Sequence, residues 1–214
     1  MNPVQVTPQL ERYIFDLLGP RDAPMRAMEE HAERENVPIV GPHEGKLLYL
    51  LAKLAGSKRI LELGAATGYS GAWLLRATAG GSLVTIERDP RRAALARANL
   101  AAAVPNGDAE VLEGDVFQVL PHLEGPFDAC FNDLLNSLAS EQDIERLFML
   151  SLEKVRPGGL LLADNALRQG EVSAPRGQQA RNVAAYNKLV AATPRLESVI
   201  VPIRDGLSIA LVSD

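Results

Sequence analysis

The chain changes rhythm at Lys58, and that change restricts its fold more than any other feature. From there, short apolar runs that read as strands alternate with longer stretches of helical periodicity. Strands are expected at Arg59–Leu63, Ser82–Glu87, Ala109–Glu113, Phe127–Asp133 and Gly159–Asp164. Helices are expected between them over Gly68–Thr78, Pro90–Val104, Val116–Leu120 and Ser140–Val155. Asp89-Pro90 supplies an N-cap and a proline at the first helical position, which fixes one helix start well. Strands joined through helices run parallel, with right-handed crossovers that cover both faces of the sheet. After a helix over Gln178–Thr193 the pattern breaks. Leu196–Ile203 and Leu207–Val212 flank Arg204-Asp205-Gly206, an Asp-Gly turn of the hairpin kind. The expectation is an α/β chain with a doubly wound, mostly parallel sheet of seven strands whose last strand is antiparallel.

Residues 1–57 carry no strand pattern and read as an N-terminal helical extension to a main domain over 58–214, the whole forming a single globular unit. Leu10, Ile14, Leu17 and Leu18 recur at helical spacing before the Gly19-Pro20 break. Arg21–Asn36 is a charged helix bearing Met25 and Met28, and the two prolines of Val37–Pro42 demand extended or turning backbone. A third helix over His43–Ala55 is expected to turn Leu47, Leu48, Leu50, Leu51 and Leu54 inward. Such helices need a surface on which to bury their apolar faces, either the main domain or a second subunit. With 214 residues, 47% of them hydrophobic, the chain is long enough for one substantial core. A formal net charge of -5 offers no global attraction to nucleic acid. The one cysteine, Cys130, rules out an intramolecular disulfide and a thiolate metal cluster, and its apolar surroundings read as buried strand. No apolar run reaches the ~20 residues of a membrane span and no secretory leader pattern is present, so a soluble, cytoplasmic protein without membrane contact is expected.

Ligands of open parallel sheets bind beyond the carboxyl ends of the strands, where the strand order reverses. The first strand runs into Glu62-Leu-Gly-Ala-Ala-Thr-Gly-Tyr-Ser70, whose Gly64 lets backbone approach a ligand and whose Gly68 opens a helix. The spacing G-x-x-x-G matches neither the dinucleotide fingerprint nor the phosphate loop. It suits a nucleoside with an amino-acid tail, which needs no pyrophosphate on the helix N-terminus. Glu87 ends the second strand roughly 20 residues later, where a carboxylate accepts both ribose hydroxyls. Asp115 ends the third strand, placed to meet an adenine ring.

On these residues the sequence resembles the class I methyltransferases, which are Rossmann-like. Ile60–Ser70 looks like their motif I, and the Gly-Tyr-Ser ending is typical of the catechol and caffeoyl-CoA O-methyltransferase branch, a cation-dependent one. The resemblance extends over Gly41–Leu54, Glu113–Val116, Phe127–Asp133, Asp164-Asn165 and Pro202–Leu207. It implies S-adenosylmethionine as methyl donor, with Val40, Gly41, Glu62, Gly64, Ala65, Tyr69, Ser70, Glu87, Asp115, Val116 and Asp133 around it. It also implies a homodimer.

The fourth and fifth strands end in Asn132-Asp133 and Asp164-Asn165, which neighbouring parallel strands would bring together. Two carboxylates and an amide carbonyl are hard oxygen ligands, suited to Mg²⁺, Ca²⁺ or Mn²⁺ rather than zinc. The family uses Asp133, Asp164 and Asn165 in this way, so the resemblance implies a divalent cation there, Mg²⁺ first. The expected activity is methyl transfer to a hydroxyl of a small catechol-like or other aromatic acceptor. One departure stands out. The metal-dependent branch reads Asp-x-x-Lys-x-x-Tyr after the fourth strand, the lysine being its expected base. Here Asn136 occupies the lysine position and Ala139 the tyrosine position, and an amide accepts no proton. Asp133 and Asn136 are therefore the candidate catalytic positions, with His43, Lys188 and Arg168 as substitutes for the base. Arg181 and Asn187 match a family pattern on the following helix, and Trp73 is expected in the core. Three other assignments stay open: a tRNA hydroxyuridine O-methyltransferase, disfavoured by the charge balance; a cofactor-binding protein with weakened catalysis; and an NAD-dependent oxidoreductase, disfavoured by the glycine spacing.

Overall fold

The computed structural model describes residues 6–213. Its strands are β1 (Arg59–Leu63), β2 (Ser82–Glu87), β3 (Asp108–Glu113), β4 (Phe127–Asn132), β5 (Val155–Ala163), β6 (Leu196–Val201) and β7 (Leu207–Val212). They form one sheet in the order β3-β2-β1-β4-β5-β7-β6. β1 pairs in parallel with β2 and β4, and β4 with β5, whereas β7 runs antiparallel to both β5 and β6. The expected α/β sheet and its reversed last strand are both present. The order reverses at β1, so a cleft opens past the ends of β1 and β4. Register then fixes what lines it. Leu63 stands opposite Ile86 and Asn132, and Asn132 opposite Ala163. The next residues on, Gly64, Glu87, Asp133 and Asp164, emerge in a row.

The helices are α1 (Pro8–Asp16), α2 (Ala23–Arg34), α3 (Gly41–Leu54), α4 (Tyr69–Ala77), α5 (Pro90–Ala103), α6 (Val116–Val119), α7 (Glu141–Lys154) and α8 (Gln178–Ala192). Their starts obey local chemistry. Asp89 Oδ1 accepts from the backbone N–H of Arg91 and Arg92, and Ser140 Oγ accepts from Asp143 N. Each such cap contributes about 1 kcal/mol.

Alternate residues of each central strand enter opposite layers. Ile60, Leu83 and Phe131 join one apolar cluster; Leu61, Val84 and Cys130 join the other, with Ile144 and Phe148 of α7 and Tyr186 of α8. The first cluster also contains Met25, Met28, Val40, Leu48 and Ala52. So α2 and α3 dock on the main domain and share its core. α1 buries nothing among the described residues.

Three expectations need correction. In α3 the buried side is Glu44, Gly45, Leu48 and Ala52, one stripe at a four-residue repeat, so Leu50 (44% exposed) and Leu54 (84% exposed) point outward. β5 begins at Val155, before the expected Gly159, because Val155 pairs with Phe127 and Arg156 Nε donates to Asp128 Oδ1 at 2.6 Å. The loop after β5 is turned rather than extended over Arg168–Ser173, its short 3₁₀ pieces broken by positive φ at Gln169 and Gly170, which its glycine and polar residues hid.

Candidate active site

A cavity of about 460 Å³ lies past the strand ends, within the size range of nucleoside-sized ligands. Its two ends are built differently.

At one end the chain turns sharply out of β1. Gly64 holds φ +97°, and a Cβ there would stand 3.0 Å from Leu134 Cδ2 and 3.2 Å from the Asp133 carbonyl. The N–H groups of Gly64 and Ala65 both donate to the Ile86 carbonyl. Glu87 is 8% exposed and lines the cavity; Oε2 accepts from Ala66 N at 2.8 Å and Oε1 from Asp89 N at 2.9 Å. Asp115 caps α6 by accepting from Phe117 N, and Val116 and Phe117 add an apolar wall to the cavity.

Of the expected cofactor residues, Gly64, Glu87, Asp115, Val116 and Asp133 line the cavity. Val40, Glu62, Ala65, Tyr69 and Ser70 are buried outside that lining. Glu62 accepts from Thr85 Oγ1 at 2.6 Å, and complete burial pushes its carboxyl up to about 7. Tyr69 donates its hydroxyl to Glu29 Oε1 at 2.7 Å, and Glu29 is held by Arg21, so this residue ties the glycine loop to α2.

At the other end, Asp133, Asp164, Asn165 and Asn136 line the same cavity. Asp164 Oδ1 accepts from Asn165 N at 2.5 Å, a bond made possible by the left-handed backbone of Asn165 at φ +61°. Burial raises the Asp133 carboxyl well above its ordinary range, and the Asp164 charge raises it further. Asp164 is also raised, again chiefly by burial. Sequence reasoning missed two members of this group. Glu44, on the first turn of α3, is 0% exposed, and the one group within hydrogen-bonding reach of its carboxyl is that of Asp164. Burial first, and the Asp164 charge second, push its carboxyl up to about 10. Arg204, in the β6–β7 turn, lies over Gly41, where the absence of a Cβ leaves it room. Its Nε is 4.0 Å from Glu44 Oε2, and its charge draws all three carboxyls back down. No sequence spacing announces either residue, since they meet only through the fold.

The Asn136 Oδ1 is buried without a partner, and its carbonyl accepts from Gln179 Nε2 at 3.2 Å. His43 packs edge-on against Phe15 at 5.6 Å, and Lys188 is exposed. Arg168 sits on the rim, bonded to Gln179. Asn187 donates to the Ala166 carbonyl at 2.8 Å and fastens the loop that carries Asn165, while Arg181 holds the Arg176 carbonyl. Trp73, 9% exposed, is core.

The O-methyltransferase family model matches residues 24–212. This chain belongs to the O-methyltransferase family. A catechol O-methyltransferase of Niastella koreensis is 34% identical, covering 97% of this chain and 98% of the relative. A catechol O-methyltransferase of Mycobacterium tuberculosis is 30% identical, covering 96% of each. Among solved structures, an O-methyltransferase of Bacillus cereus in complex with SAH superposes with a TM-score of 0.84 at 30% identity, over 96% of this chain and 97% of that one. The chain is thus an O-methyltransferase. No helix of the described residues is long and apolar enough to cross a membrane.

Proposed function

We propose that the protein transfers the methyl group of S-adenosylmethionine to a hydroxyl of a small catechol-like aromatic acceptor, with a divalent cation at Asp133, Asp164 and Asn165. One observation carries this: a nucleoside-shaped end and a cluster of hard oxygen donors occupy a single cavity. The Bacillus cereus relative that superposes on the chain is a complex with SAH, and two relatives are named for catechol.

The residues fit both groups. Glu87 keeps lone pairs free toward the cavity, and Gly64 leaves the loop open to close approach. Asp133 and Asp164 are two buried carboxylates held in one another's field, a strain that a dication relieves. Among the described residues no three His, Cys, Asp or Glu side chains converge to hold a metal, and the proposed set is two carboxylates with an amide. A bound dication would lower the pKa of an acceptor hydroxyl and fix its oxygen. The protein's own part is mostly positioning. Glu87 orients the donor, and Leu134 with Leu138 makes an apolar rim that keeps water from it. Asn136 supplies an amide where a base is expected, so this side chain orients the acceptor and removes no proton.

The expected dimer remains part of the proposal. Tyr13, Leu17, Leu50 and Leu54 are 61%, 68%, 44% and 84% exposed, and a second copy would cover them. The cytoplasmic setting belongs to it as well.

Isothermal calorimetry with S-adenosylhomocysteine, followed by methyl transfer to a catechol panel with and without chelator, tests the assignment. Binding together with chelator-sensitive methylation is expected. Absence of binding would sink the donor, and chelator-insensitive turnover would sink the cation.

A further inference from the structure

A second cavity of about 830 Å³ adjoins the first. The two share the wall Ser137–Ala139, so one molecule can reach from the acid cluster across this wall. The wall is pinned from behind: Gln179 Nε2 donates to the Asn136 carbonyl, and Asn182 Nδ2 donates to that of Leu138 at 2.8 Å. Cofactor chemistry makes no use of this space. Its lining carries two arginines, Arg168 and Arg176, against the single carboxylate of Glu171.

Arg168 is the informative member. Its side chain is only 24% exposed, and one nitrogen, Nη2, donates to Gln179 Oε1 at 2.7 Å. Nε is buried with no hydrogen-bond partner, the Glu171 carboxylate standing too far away at 3.9 Å. That buried N–H stays unmet, which costs free energy, while Nη1 makes no hydrogen bond and is the nitrogen left accessible to an acceptor. The backbone also strains to place it, since Arg168 and Gln169 both hold left-handed conformations at φ 44° and 53°. Beside it α8 begins at Gly177, where no side chain caps the first-turn N–H groups.

We propose that this second cavity receives the tail of the methyl acceptor and selects a tail ending in a carboxylate. Arg168 is the principal contact and Arg176 the outer one. The lining is one charge more positive than negative, which matches a monoanion better than a doubly charged phosphate. A planar carboxylate also matches the fork of a guanidinium. Through Gln179 the tail contact touches the strap at Asn136, so a well-seated tail also steadies the rim of the reaction site. The inference rests on the first cavity being the site of methyl transfer.

The test compares 3,4-dihydroxycinnamate with its methyl ester, which differ only in the tail charge. In the wild type, kcat/KM for the acid is expected to exceed that for the ester by about tenfold to a hundredfold, mostly through KM. Calorimetry of both compounds on the S-adenosylhomocysteine complex is expected to show the same preference without turnover. Arg168→Met should bring the acid-to-ester ratio toward one, and Arg168→Lys should restore part of it. The exposed Arg176→Met should lower the ratio by a smaller factor and tests the point even if the Arg168 variants misfold. Equal KM and Kd for acid and ester, or a ratio untouched by these substitutions, would overturn the inference while leaving methyl transfer standing. A binding preference for the acid without methylation of any catechol would instead overturn the function proposed above.

Discussion

The two ends of the cavity solve one problem by opposite means. The donor end is made of backbone. A turn out of β1, the end of β2 and the cap of α6 set it, and Glu87 is satisfied by two nearby N–H groups. The acceptor end is made of side chains drawn from distant segments. Glu44, Asp133, Asp164 and Arg204 crowd together with few hydrogen bonds, and burial holds all three carboxyls above their ordinary range. The proposed donor end rests on hydrogen bonds to near neighbours, whereas the proposed chemical end crowds three buried carboxyls together. Strain of that kind gathers where charge is to be handled.

Substitutions that damage one end and spare the other test the contrast. The largest effect is expected from Asp164→Ala, which should lower turnover by about a thousandfold. Its affinity for S-adenosylhomocysteine, read by calorimetry, should change less than about tenfold. Comparable losses in both would mean that the ends are not separable. Glu87→Gln should do the reverse. The cofactor Kd is expected to rise by about ten- to a hundredfold as charge-assisted bonds are lost, with saturated turnover nearly retained. Asn136→Lys returns a titratable amine to the position where a base is expected, and kcat should rise by about tenfold, with a pH profile that acquires a new ionisation. An unchanged profile would place proton removal elsewhere.

The smallest effect concerns stability. Glu44 titrates near 4.5 when unfolded and is pushed up to about 10 in the fold, chiefly by burial. The native state therefore holds the extra proton, and the stability it confers is lost as pH rises across that interval. Glu44→Gln is neutral throughout. With chelator present, its Tm should match wild type near pH 4 and exceed it by a margin that widens to several degrees at pH 8. Thermal denaturation across pH that shows no divergence would mean that Arg204 already neutralises the group.

The same contrast explains what could be read in advance. Gly64, Glu87 and Asp115 each follow a strand at a characteristic place, so their meaning is written within a few neighbouring residues. Asp133, Asp164 and Asn165 were legible because their strands end together, and family resemblance supplied the rest. Glu44 drew no attention in the sequence, because a leucine-rich helix suggests that its leucines face inward. In fact the apolar count was shared between a buried stripe and an outer surface, which periodicity alone does not divide. Arg204 looked like a turn residue, and nothing in the hairpin signal says which way its side chain reaches. Arg168 was noted as a substitute for the base, but the empty space beside it is a tertiary property. The starting point of β5 was missed for a similar reason: pairing with Phe127, not propensity, draws Val155 into the sheet.

The β6–β7 turn has one further consequence, for the order of assembly. Every donor-end wall residue from Gly64 to Phe117 is made in the first part of the chain, and β1, β2 and β3 are consecutive in sequence. The pairing of Arg204 with Glu44 instead joins a residue near the start to one close to the finish. On a ribosome the nucleoside end can be laid down while the acid end still lacks its cation. Until β7 slides between β5 and β6, three crowded carboxyls stand without their built-in counter-charge. Seating β7 between β5 and β6 therefore also brings Arg204 to Glu44, which couples closure of the sheet to the charge balance of the acid cluster.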